Sequence, residues 1–256
     1  MTLCRLCGEQ RKLVNAHIVP EAFARVLGVD GETPVLISDA LDTFPKRCPI
    51  GVYDEGILCD RCEPRFSRVD DYGIEILLKR FRDLFVAVND AEKTVAYRAG
   101  GVDQEMLLRF VIATLWRASV STHPFYRRIN LGPYERLAMQ AIINPSLPIS
   151  DVFAVVLSCW VASEEHSSLT TGLMDPFREN WDGVNAYRMY FGEVVAYIKV
   201  DKRPFRSPLK EYTLLSGEQV TVIARNFDES KEFQSMIRTA QKSHLNQQNA
   251  RHLKSR

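Results

Sequence analysis

Apolar residues recur along this chain in two rhythms, one helical and one strand-like, and the second takes over past residue 150. Between residues 59 and about 88, Ile74, Leu77, Leu78, Phe81, Leu84 and Phe85 return at steps of three and four, the period of a helix with one buried face. Residues 102–120 repeat the pattern, with Leu107, Leu108, Val111, Ile112, Leu115 and Trp116 on one side. A third helix is expected near residues 134–143, stopping before Asn144-Pro145. Residues 152–157 then form a continuous apolar run that reads as a buried strand. Residues 187–191 and 194–200 flank Gly192-Glu193, the signature of a hairpin with a two-residue turn. Residues 220–224 are a further strand. A final helix is expected from Asp228 to about Leu245, with an acidic start and a basic end that suit the helix dipole.

The first 56 residues are less regular. A strand is expected over residues 12–20, ended by Pro20, and a short helix over residues 21–27. Residues 28–56 carry glycine, proline and aspartate around one short apolar run, Val35-Leu36-Ile37, and read as a loop with one strand. Residues 174–181 are polar and aromatic without a period and read as an ordered loop. No internal repeat or low-complexity block is visible. The polar stretch Asn89-Asp90-Ala91-Glu92-Lys93 suggests a division near residue 90. The fold expected is α+β: residues 1–88 as a small module with an extended helix, and residues 89–256 as a mixed helical and antiparallel-strand domain.

Composition changes this picture little. The chain has 256 residues, 46% of them hydrophobic and 25% charged, as in ordinary globular proteins. A net charge of +1 does not by itself point to nucleic acid. Residues 242–256 are different: Lys242, Arg251, Lys254 and Arg256 occur there with His244 and His252 and no acid, so this end is either a basic arm or a solvated terminus. No apolar signal region opens the sequence and no run approaches the length of a membrane span, which predicts a cytoplasmic protein without a membrane partner.

The cysteines carry the first chemistry. Cys4-Arg5-Leu6-Cys7 and Cys59-Asp60-Arg61-Cys62 are two Cys-x-x-Cys pairs. Each such turn can place two sulfurs on one ion, and four thiolates meet the tetrahedral preference of zinc with no open position. Gly8 supplies the flexibility that such a knuckle often uses. A thioredoxin-like redox pair would need a preceding strand and a surrounding βαβ unit, and neither pair has both. Structural zinc on Cys4, Cys7, Cys59 and Cys62 is therefore expected. Cys48 and Cys159 read as ordinary buried cysteines, with Cys48 able to stand in as a ligand.

Between the pairs stands His17, the only histidine in the first 122 residues, followed by Ile18-Val19-Pro20. The order Cys-x-x-Cys, Ala16-His17-Ile18-Val19-Pro20, then Ile57-Leu58-Cys59-Asp60-Arg61-Cys62-Glu63 resembles the HNH endonucleases of the ββα-metal (His-Me finger) group, over roughly residues 4–75. The resemblance implies an N-terminal zinc-stabilised ββα-metal module. In it His17 would be the general base that activates water, and a magnesium or manganese ion would sit across the scissile phosphate of DNA. The sequence departs from the family in three places. Ala16 stands where an Asp or His ligand often precedes the base, the middle Asn falls near Asp54, and Glu63 replaces the last His. On a helix starting at the knuckle, Glu63, Ser67 and Asp70 would share a face, offering Glu63 and Asp70 as metal ligands, with Asp71 as a neighbouring substitute. The same acids also suit the solvated first turns of a helix.

Three readings follow. The first is a metal-dependent HNH endonuclease acting on DNA, which the resemblance connects with phage defence or a mobile element. The second is a non-catalytic zinc-finger protein that binds nucleic acid or a protein partner. The third is a zinc staple for a larger domain with an unrelated function. Arg109 and Arg117, eight residues apart, are either phosphate contacts or part of a helix surface. An oligomer or protein partner is compatible with all three.

Overall fold

Strands buried on both faces need apolar side chains at successive positions, and the second half of the chain supplies them. The structure is a computed structural model that describes residues 3–26, 35–37, 46–48, 50–163, 173–181, 183–205, 208–238 and 241. The fold is mixed α+β with a mostly antiparallel main sheet. Strand β1 (Leu13–His17) leads through Pro20 into helix α1 (Glu21–Arg25); short strands β2 (Val35–Ile37) and β3 (Lys46–Arg47) precede β4 (Tyr53–Cys59). β1 and β4 pair antiparallel, with Leu13 opposite Cys59 and His17 opposite Tyr53.

After the second cysteine pair the chain turns once as a 3-10 helix, Glu63–Phe66, and continues as α2 (Ser67–Ile74). A π-helical turn follows at Glu75–Lys79, then α3 (Phe81–Leu84). The helix expected to reach residue 88 therefore stops at Leu84. The polar stretch expected as a boundary is the turn between β5 (Val86–Asp90) and β6 (Lys93–Ala99), with Ala91 at φ +52°. Residues 88 and 89 lie inside β5.

Helix α4 (Gln104–Val120) is the central element. Asp103 caps its start by accepting a hydrogen bond from the Met106 N–H at 3.0 Å. Residues 107–118 are buried all round, so the expected one-sided helix is enclosed on every side. Helix α5 (Glu135–Ile143) packs against it, as does α2. The remaining strands are β7 (Phe153–Val161), β8 (Leu173–Met174), β9 (Phe177–Trp181), β10 (Val184–Phe191), β11 (Val194–Val200) and β12 (Val220–Asn226). Residues 231–238 are helical. The expected loop at 174–181 is thus largely strand, and the basic end at 242–256 lies outside the described residues.

The main sheet runs β5-β6-β12-β7-β11-β10-β9, with one parallel pair, β12 against β7. Β-strand alternation divides its side chains between two cores. Val155, Leu157 and Cys159 on β7, with Ala196 and Ile198 on β11, face α4; Val156 and Trp160, with Val195 and Tyr197, face the other way. That second face also holds Arg188, which pairs with both Glu179 and Glu232 and lies 5.0 Å from the Tyr197 ring.

The N-terminal segment joins the first core. The Phe23 ring lies 6.0 Å from Phe110 and 5.6 Å from Phe191, and the Phe66 ring stacks on Trp116 at 6.0 Å. Where α2 crosses α4 the approach is close: a Cβ on Gly73 would lie 2.5 Å from the Phe110 ring.

Candidate metal centre and adjoining groove

The two cysteine pairs meet because the β1–β4 hairpin brings residue 59 back beside residue 13. Each pair sits on a tight turn. In the first, the Gly8 N–H donates to the Cys4 carbonyl at 2.8 Å and Gly8 adopts φ +72°. In the second, the Cys62 N–H donates to the Cys59 carbonyl at 3.0 Å. The ligand atoms of Cys4, Cys7, Cys59 and Cys62 all lie within 4.8 Å of one another. The sulfurs of Cys7 and Cys59 are 3.9 Å apart. Four sulfurs at about 2.3 Å from one tetrahedral ion would stand about 3.8 Å apart, so the spacing suits a metal such as zinc.

The surroundings favour deprotonation at one thiol. Burial pushes the Cys4 thiol up, but N–H donors from Cys7, Cys59 and Leu6 and the Cys7 thiol outweigh it and bring it down to about 7. One of these is the Cys59 N–H, 3.4 Å from the Cys4 sulfur. Cys62 is pushed well up, first by burial and then by its neighbouring thiols. A divalent cation would reverse that rise, since thiolates bind metal and protons competitively. Cys48 stays outside the cluster; it is half-buried and its thiol is raised by burial.

His17 ends β1, and the strand ladder is irregular just before it. The step from Val14 to Ala16 is matched on β4 by the step from Leu58 to Asp54. Bulges of this kind re-aim the side chains beside them. The His17 ring meets Tyr53 edge-on at 6.0 Å, and its Nε2 is shut from solvent without a hydrogen-bond partner among the described residues. Tyr53 also lines an open groove of about 500 Å³, together with Arg47, Asp54, Glu55, Thr122 and His123. Sequence reasoning did not single out Arg47, Tyr53 or His123. Only the fold brings residues 47–55 against residues 122–124.

Asp54, the residue expected nearest the middle Asn of an HNH motif, is tied inward. It accepts from the Gly56 N–H at 2.7 Å, and from the Ser121 hydroxyl and the Thr122 N–H, each at 2.8 Å. Burial pushes its carboxyl up, yet these donors prevail and hold it below the usual range. Ala16 is 1% exposed and faces Asp54 across the ladder, so an acid at that position would be buried beside a second carboxylate.

Of the expected acidic ligands, Asp70 is drawn inward by a partner. Asp70 makes two bonds to Arg117, at 2.6 and 2.7 Å, and Arg117 also lies 4.7 Å from the Phe66 ring. Glu63 is half-buried and makes no ion pair among the described residues, and Asp71 is exposed. Among the described residues the four cysteines are the one group of three or more His, Cys, Asp or Glu within metal-bridging reach; His17, Glu63 and Asp70 form no second one. Arg109 and Arg117 belong to the interior, and neither is a surface residue or a free phosphate contact. Arg109 donates to the carbonyls of Ala141 and Leu147 and pairs with Glu105.

No helix among the described residues is long and apolar enough to cross a membrane. Comparison with protein-family models, curated proteins and solved structures yields no match.

Proposed function

We propose that residues 4–75 are a zinc-stapled module of the HNH, ββα-metal kind and that the chain is a metal-dependent endonuclease hydrolysing DNA phosphodiester bonds. The observation that carries this reading is His17. It stands at a strand end between two cysteine pairs that share one site, beside an open groove, with a buried ring nitrogen that makes no hydrogen bond among the described residues. An orphaned buried nitrogen costs about 1–3 kcal/mol and calls for a functional explanation. An imidazole nitrogen with a free lone pair can take a proton from water as a general base. A side-chain movement must open Nε2 to the groove before a water can reach it.

Zinc on the four thiolates would hold both ends of the hairpin and fix the strand that presents His17. Arg47 at the groove carries positive charge suited to a phosphate. Of the acids that the resemblance offers, Asp54 and Asp70 are committed inward, so Glu63, with Asp71 as its neighbouring substitute, would hold a magnesium or manganese ion. Such an ion, when bound, would stabilise the charge developing on the phosphate.

The same commitment of Asp54 and Asp70, with no second metal-bridging group among the described residues, favours a second reading: a zinc module that binds nucleic acid or a protein partner without cutting. Nicking of supercoiled plasmid with magnesium or manganese separates the two. Under the first reading His17→Ala lowers the rate about 100-fold or more, the scale of a lost general base. Its zinc content, by elemental analysis, stays at one per chain. Equal cleavage by wild type and His17→Ala rules out His17 as the base. No cleavage by wild type, with retained DNA binding in a gel-shift assay, establishes the second reading.

A further inference from the structure

Helices α2, α4 and α5 do not close completely on one another. Between them lies a pocket of about 210 Å³, on a different set of elements from the His17 groove. Val69, Met106, Ile112 and Ile142 line it, and the small side chains of Ala113 and Ala141 leave the space open. An apolar cavity of about 150 Å³ already admits a benzene-sized guest, so this one is large enough for a ligand. Water gains little there because the floor offers it few partners.

The mouth has a different chemistry. Arg65 on the 3-10 turn and Arg68 on the first turn of α2 line it, both exposed, and neither makes an ion pair among the described residues. The other charged groups of the lining are engaged. Arg109 is held by Glu105 and by backbone carbonyls, and Asp103 caps α4. An apolar chamber with two uncompensated guanidiniums at its entrance selects a molecule with an apolar body and an anionic head.

We propose that this pocket binds a medium-chain monocarboxylate, its chain between Ala113 and Ala141 and its carboxylate on Arg65 and Arg68. If a methylene takes about the ~30 Å³ of a water molecule, the space holds roughly six to eight carbons. The site is independent of the reaction at His17 and stands whether or not the chain cuts DNA.

The test is calorimetric titration of the full-length protein with octanoate and, separately, with 1-octanol, which has the same chain and no charge. Octanoate should bind at least tenfold more tightly than octanol. Arg65→Ala with Arg68→Ala, both at exposed positions, should remove that preference and weaken octanoate at least tenfold. Ala141→Leu should fill the chamber and abolish binding of both. Nuclear Overhauser contacts from octanoate to the Met106 methyl should locate the bound chain in wild type, even if Ala141→Leu fails to fold. No heat of octanoate binding at millimolar concentration overturns the proposal. So does equal affinity for the alcohol, or a double-arginine variant that binds like wild type.

Discussion

Replacing Asp70 by Ala tests directly whether this carboxylate is a surface metal ligand or an internal anchor. Its partner Arg117 has a side chain only 3% exposed, against 15% for Asp70. Deleting one member of a buried ion pair leaves the other charge uncompensated, which costs about 3–5 kcal/mol. Two features place Asp70→Ala near the lower end. Arg117 keeps a hydrogen bond to Thr114 at 3.2 Å and its contact with the Phe66 ring, and some solvent reaches the gap. The expected loss is therefore about 3 kcal/mol, where a solvated acid on a helix would change stability by about 0.5 kcal/mol or less. Urea unfolding followed by far-ultraviolet circular dichroism reads it as a lower midpoint at unchanged slope. Asp70→Leu combined with Arg117→Met should recover much of the loss, because an apolar pair removes the stranded charge. A cost below about 1 kcal/mol for Asp70→Ala, or simple additivity of the two substitutions, would refute an internal anchor at this position.

Two further outcomes follow from the packing around this helix and from Asp54. Gly73→Ala forces a Cβ to 2.5 Å from the Phe110 ring and should cost about 1–3 kcal/mol in the same assay, although alanine is the better helix former. Asp54 titrates below its unfolded value of about 3.9, so the stability it contributes is present above that pH and fades as pH falls through its folded value. The stability gap between wild type and Asp54→Ala should thus be wide at pH 6 and narrow steadily below about pH 4; a gap independent of pH would remove the linkage.

The sequence exposes elements whose signals are local. The period of residues 102–120, the Gly192-Glu193 turn and the paired cysteines each state their structure within a few residues, and the structure contains α4, the β10–β11 hairpin and the four-sulfur cluster. Features set by distant contacts were hidden. Residues 86–99 look like a helix end and a linker, because the partner that joins their hairpin to the main sheet, β12, lies far along the chain. The strand character of residues 177–181 depends likewise on β10. Asp70 and Arg117 each have a plausible surface role when read alone, and only the crossing of α2 with α4 shows that they meet. His17 was legible from its neighbours, but the groove beside it was not, because Thr122 and His123 reach it only through the fold.

The parallel pairing of β12 with β7 sets an order of events during synthesis. β5 and β6 emerge from the ribosome early and can form a two-stranded hairpin at once, but such a hairpin is marginal alone. Their link to the rest of the main sheet is β12, which is made more than a hundred residues later. Until then the sheet exists as two separate pieces with open edges, one at β6 and one at β7. Exposed edges of this kind invite pairing with other nascent chains. A ribosome that stalls after β11 would therefore release a polypeptide with its cysteine module and central helix already made and its sheet divided, a species for chaperones to hold until the closing strand arrives.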